Sequence, residues 1–113
     1  MAIDAGNYET AIAKLQAILG EYPESAEANN RLGYVHRRLQ NFAEAFAYYQ
    51  RALEIAPRHT GAHQYIGEAY LEIGDLKTAE YHLAQLSDIC EYGCDDYWQL
   101  HEAVALYRAN NGG

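Results

Sequence analysis

Leu32-Gly33 returns 34 residues later as Ile66-Gly67, and the Leu32 position returns once more at Leu100. Ala45 is flanked at the same interval by Ala11 and Ala79, and Pro57 is preceded at that interval by Pro23. A chain that repeats at such a period is built from one supersecondary unit that cannot bury its apolar face alone and stacks on its neighbours to do so. The unit is clearest from Ala26 to His59, and within it apolar residues recur every three or four positions, the period of a helix. Ser25 reads as an N-cap for a helix through Leu39, with Ala28, Leu32, Val35 and Leu39 as its inner stripe. Asn41 with Glu44 reads as a capping box opening a second helix, which Ala56-Pro57 stops near Ile55.

The neighbours follow the same plan. Residues 7–19 carry Tyr8, Ala11, Ile12, Leu15, Ile18 and Leu19 at helical spacing, in register with the second helix of a unit. Residues 60–93 repeat the pattern with Ile66-Gly67, Tyr70, the turn Gly74-Asp75, and Ala79, but Glu91 stands where a proline would close the unit. Asp95 and Asp96 then open a last helix to about Ala109, placing negative charge where the helix dipole favours it. Gly33 and Gly67 sit inside helical stripes, and the next position in register is His101, which is too large for a closely packed partner helix.

The pattern Asn29-x-x-Leu32-Gly33-x-x-His36, then Ala45-x-x-x-Tyr49, then Pro57 resembles the tetratricopeptide repeat. The resemblance implies an all-α, right-handed α-solenoid of antiparallel helix pairs: a half repeat (1–25), two full repeats (26–59 and 60–93) and a C-terminal capping helix (94–109), forming one domain. It also implies that Gly33 admits a close partner helix. Asn29 and His63 depart from the family's usual aromatic, which Tyr97 keeps, and His36 replaces its Tyr. The closing segment Cys90-Glu91-Tyr92-Gly93-Cys94-Asp95-Asp96-Tyr97 is similar to the ends of small exported bacterial members of the family. Because the first unit is a half repeat, its Ile12, Leu15 and Leu19 side is expected to seek cover from a longer parent chain or by self-association with a second copy.

Composition narrows the partners. The formal charge of -8, from 16 acidic and 8 basic residues, disfavours nucleic acid and anionic membranes. No apolar run approaches the roughly 18 residues of a membrane span, so no membrane insertion is expected. The opening Met1-Ala2-Ile3-Asp4-Ala5-Gly6 does not read as a secretory signal. Eleven tyrosines suit a surface that packs rings while keeping hydroxyls wet.

In the resembled family the first helices of successive repeats line a concave groove. Transferred by register, the groove positions are Glu27, Asn30, Tyr34, Arg37 and Arg38, then Gly61, Gln64, Glu68, Leu71 and Glu72, then Asp95, Trp98, Glu102, Ala105 and Leu106. Of these, Asn30, Tyr34, Arg37, Arg38, Gln64, Glu68, Leu71 and Trp98 form the expected site for a protein or peptide partner, since aromatic and Arg side chains are the usual anchors of binding energy. The family's clamp for a C-terminal carboxylate is not expected, because Gly61, Gln64 and Tyr65 occupy positions that would need cations.

Catalytic chemistry finds little support. No phosphate loop, activated nucleophile or paired carboxylates can be read, so neither an enzyme nor a cofactor is expected. His59 and His63 are four apart but lack the Glu of a metalloprotease helix. His82, Cys90, Cys94 and His101 are ligand types, yet at 1.5 Å per residue His82 and Cys90 lie ~12 Å apart along a helix. Zinc needs every ligand within about 2.3 Å. Cys90 and Cys94 end one helix and start the next, and a tight turn through Glu91, Tyr92 and Gly93 brings their Cα atoms into the roughly 4.4–6.8 Å range of a disulfide. A disulfide there points to a periplasmic or exported protein, whereas reduced thiols would fit a cytoplasmic one. Two functions remain open: a noncatalytic protein-binding scaffold, and a thiol redox or redox-sensing module using Cys90 and Cys94.

Overall fold

The structure, a computed structural model, describes residues 7–91 and 93–111. Among these residues it is all helical, with α1 (Tyr8–Glu21), α2 (Ala26–Arg38), α3 (Phe42–Ile55), α4 (Thr60–Glu72), α5 (Leu76–Ile89) and α6 (Asp95–Asn110). The helices gather into two compact units that divide between Pro57 and Arg58. No helix among the described residues is long and apolar enough to cross a membrane.

In the first unit, Ser25 caps α2 as its sequence position predicts, its hydroxyl accepting from the Ala28 amide at 3.1 Å. The turn into α3 departs from expectation. Gln40 takes a left-handed φ of 63°, and this folds the Asn41 N–H back onto the His36 carbonyl at 2.8 Å. The backbone donor that a capping-box Glu44 would satisfy is thereby used to finish α2, the six-to-one bond of a Schellman ending. Asn41 makes no side-chain cap, and Glu44 instead approaches His36 Nδ1 at 3.5 Å. Leu39 falls in this turn rather than in the helix and is exposed.

The short turn makes α2 and α3 antiparallel, with Glu24 before α2 meeting Arg51 late in α3 at 3.1 Å. At the middle of the pair the fully buried Tyr49 ring lies over Gly33, where a Cβ would come within 2.6 Å of it. The glycine is required by this approach, as the family resemblance implies. The face of α1 expected to need an outside partner is covered in part from within the chain. Leu15 is only 6% exposed, because Tyr8, Ala11 and Leu15 pack on Leu32 and Val35 of α2, with Ile12 and Leu19 half-buried alongside. Ile18 stays exposed at the edge of this face.

The second unit repeats these devices. His59 caps α4 where Ser25 caps α2, Nδ1 accepting from the Ala62 amide at 3.0 Å. Gly74 holds the left-handed position of the next turn, φ 83°, and the Asp75 N–H returns to Tyr70 O at 2.8 Å. Asp75 caps α5 through the Thr78 amide and hydroxyl, and those hydrogen bonds hold its carboxyl below the usual range. α6 then lies against both α4 and α5. Leu100 covers Gly67, and together with Leu71, Ala79, Leu86 and Val104 it forms the buried core. Thr60 meets Asp96 and Gln64 meets Gln99, so α6 runs parallel to α4, while Arg108 pairs with Glu80 of α5. Cys90 and Cys94 are joined in a disulfide across the α5–α6 joint, their Cα atoms 5.7 Å apart. The middle of the expected turn, Tyr92, lies outside the described residues.

Two substitutions in the first unit should move stability in opposite directions. Gly33→Ala raises helix propensity by about 1 kcal/mol but drives a methyl into the Tyr49 ring, so urea unfolding should show a net loss of about 1–3 kcal/mol. Gln40→Gly removes the strain of a side chain at positive φ and should gain roughly 0.5–1 kcal/mol. The gain depends on Gln40 keeping its left-handed turn in solution, and a loss on Gly substitution would contradict that geometry.

Candidate partner-binding surface

The eight residues expected to meet a partner divide by exposure. On α2, Asn30 is buried, its amide donating to Glu27 Oε1 at 3.5 Å. Arg37 is 8% exposed, with its guanidinium carbon 5.1 Å from the centroid of the half-buried Tyr34 ring, a cation–π arrangement. Arg38 is exposed and its Nε donates to the Tyr8 hydroxyl at 3.4 Å. Tyr34 and Arg38 are thus the accessible members of the α2 set.

On α4, Gln64 is 4% exposed and ties the helix to its neighbour, donating to Gln99 Oε1 of α6 at 2.6 Å and to Glu68 at 3.1 Å. Leu71 belongs to the core beneath α6. Glu68 stays half-buried. Trp98 on α6 is 55% exposed and stands edge-on to Tyr97, ring centroids 4.9 Å apart, and to His101 at 5.3 Å. Its indole edge crosses Gly93, whose φ of 82° and missing side chain leave room for it. Tyr34, Arg38, Glu68 and Trp98 are therefore the accessible members of the expected set, while Asn30, Arg37, Gln64 and Leu71 are buried in the helices' packing.

Position-by-position reading missed one buried cluster. His63 of α4 and His82 of α5 face each other, Nδ1 to Nδ1 at 3.0 Å, one ring donating and the other accepting. Tyr70 stacks on His82 at 5.9 Å and Tyr81 meets it edge-on at 5.1 Å. The first unit has the related stack with the partners exchanged, His36 on α2 against Tyr48 on α3 at 5.4 Å. Residues 36 and 70, and 48 and 82, are each one period apart, so the exchange was present in the sequence as two linked departures. With His82 turned to His63 and both cysteines in the disulfide, the ligand types considered for zinc do not converge.

Helix pairs of about 34 residues closed by left-handed turns define a helical-repeat protein. Two tetratricopeptide repeat family models match the chain, one over residues 2–60 and one over residues 36–104. The chain belongs to the tetratricopeptide repeat family, whose repeats generally mediate protein–protein interaction. No curated protein matches it.

The histidine pair gives the second unit an acid response. Burial, then the neighbouring His63, lowers the His82 pKa to about 4, against 6.5 ordinarily. The unfolded chain accepts a proton near pH 6.5 that the folded chain refuses until about pH 4, so this group's contribution to stability falls as pH drops through that window. Denaturant unfolding at pH 7 and pH 4.5 should show the loss, reaching up to about 3 kcal/mol. His82→Phe should flatten the pH dependence, and an unchanged slope in that variant would remove His82 as its source.

Proposed function

We propose that this protein is a noncatalytic scaffold that binds a protein or peptide segment along the first helices of its repeats, α2, α4 and α6, the concave side in this family. The observation that carries the reading is Trp98, a large ring left 55% exposed on a helix whose Leu100 and Val104 are buried. The exposed Arg38 and the half-buried Tyr34 supply the corresponding chemistry on α2. Aromatic and Arg side chains dominate measured binding energy, so these three are the anchors of the proposal. The one-domain organisation, with α6 as its cap, belongs to the same reading.

The Cys90–Cys94 disulfide supports a second reading, a redox module, because both cysteines are only half-buried. The scaffold reading is preferred because the bond already has a structural role in closing the joint between α5 and α6. A structural disulfide also favours a bacterial periplasmic or exported location, since such bonds persist in oxidising compartments. Thiol counting on protein taken from its native compartment without reductant should find none free.

Selection of peptides from a displayed random library on the wild-type chain, followed by affinity measurement on Tyr34→Ala, Arg38→Ala and Trp98→Ala, tests the scaffold. At least one anchor should weaken the selected peptides by about tenfold or more, equivalent to about 1.4 kcal/mol. Equal affinity for all three variants, each folded by circular dichroism, would refute the proposed surface.

A further inference from the structure

The α5–α6 joint holds a cavity of about 240 Å³ lined by Ser87, Cys90, Glu91, Gly93, Tyr97 and Trp98. It is smaller than the ~300–1,000 Å³ of small-molecule sites and suits a single long side chain. Two walls are aromatic, the exposed Trp98 and the edge-on Tyr97. The disulfide forms part of another, so its contour is covalently held.

The charge around this cavity has one sign. No Lys or Arg occurs between Lys77 and Arg108, while Glu80, Asp88, Glu91, Asp95, Asp96 and Glu102 all fall in that interval. Glu80 is engaged by Arg108, and Asp96 accepts from the Thr60 hydroxyl. Among the described residues, no cation pairs with Asp88, Glu91, Asp95 or Glu102. In the first unit, by contrast, Glu24, Glu27 and Glu54 each have an Arg within 4 Å. Asp95 complements the α6 dipole from its first turn, which leaves Asp88, Glu91 and Glu102 as uncompensated charge, with Glu91 at the cavity and Asp88 one turn before it.

We propose that this cavity is a pocket for a basic side chain of a peptide segment, an arginine or lysine lying against the Trp98 ring with its charge toward Glu91. The indole face attracts a cation within about 6 Å of its centroid, and a nearby carboxylate adds a charge-assisted hydrogen bond. Arginine fits better than lysine, because its planar guanidinium can stack on the ring and reach the carboxylate at once. This rests on the reading of the chain as a peptide-binding protein and extends it to the chemistry of the partner: a segment of net positive charge, matched to a chain of formal charge -8. Such a match also accelerates encounter at low salt.

The test uses four capped hexapeptides differing only at one central residue: arginine, lysine, citrulline or leucine. Trp98 is the sole tryptophan, so its indole N–H gives one resolved NMR signal and its emission reports on the pocket alone. The arginine peptide should shift that signal saturably, with citrulline at least about fivefold weaker and leucine weaker still. Raising the salt should weaken arginine binding and leave citrulline nearly unchanged. Glu91→Gln should lower arginine affinity several-fold, and Trp98→Leu, followed by calorimetry, should lower it about tenfold. Citrulline or leucine binding as well as arginine would overturn the proposal in favour of an apolar subsite. A Trp98 shift that tracks protein concentration without peptide would overturn it in favour of a second copy. Displayed peptides that depend on Tyr34 and Arg38 but not on Trp98 or Glu91 would overturn the pocket while leaving the scaffold intact.

Discussion

A helix of thirteen or fourteen residues is marginal in water, and α1 to α5 are all of that length. Each persists because a neighbour buries one of its faces, so the closeness of the approach between helices governs the rest of the structure. At Gly33 the approach is set by the Tyr49 ring of α3, and at Gly67 by Leu100 of α6. The glycines give up helix propensity at these points in exchange for contact between apolar groups. The left-handed turns at Gln40 and Gly74 serve the same end: by closing each pair within three residues, they leave little freedom in how its helices meet.

The features that could be read from the sequence depend on one residue and its immediate backbone. Ser25 as a cap, the turn at Gly74 and the Cys90–Cys94 bond are local geometries fixed by residue type. The features that could not be read depend on what another helix does. Asn41 carries the signature of a capping box, but the end of α2 has already taken the backbone donor it needed. Gln64 and Leu71 occupy groove positions by register, yet α6 comes down over α4 and draws one into a hydrogen bond and the other into the core. The covering of Leu15 by α2 is a similar case, because a half repeat counted from the sequence says nothing of how much surface one neighbour can hide.

Charge is distributed by a different logic from packing. Glu24, Glu27 and Glu54 of the first unit each have an Arg nearby, an arrangement worth little in stability at an exposed site but one that quiets the local field. The α5–α6 joint has no such compensation. Its disulfide fixes the backbone where a proline closes the preceding repeat, and its tryptophan stays outside the core although Leu100 and Val104 on the same helix are buried. A fold maintained by packing alone has no use for that combination, which is why the joint, rather than the better-packed middle of either unit, is where a partner contact is proposed.

The exchange of rings between the two helix pairs bears on how repeats diverge. His36 with Tyr48, and Tyr70 with His82, are the same stack assembled from opposite sides. Compared column by column, the two repeats show two unrelated mismatches; compared as a pair, they show none. At this position the two rings act as a couple, and exchanging both keeps the stack. A lone change that leaves two histidines or two tyrosines facing each other is an intermediate that drift must cross, and its penalty can be measured as a coupling energy between residues in different helices.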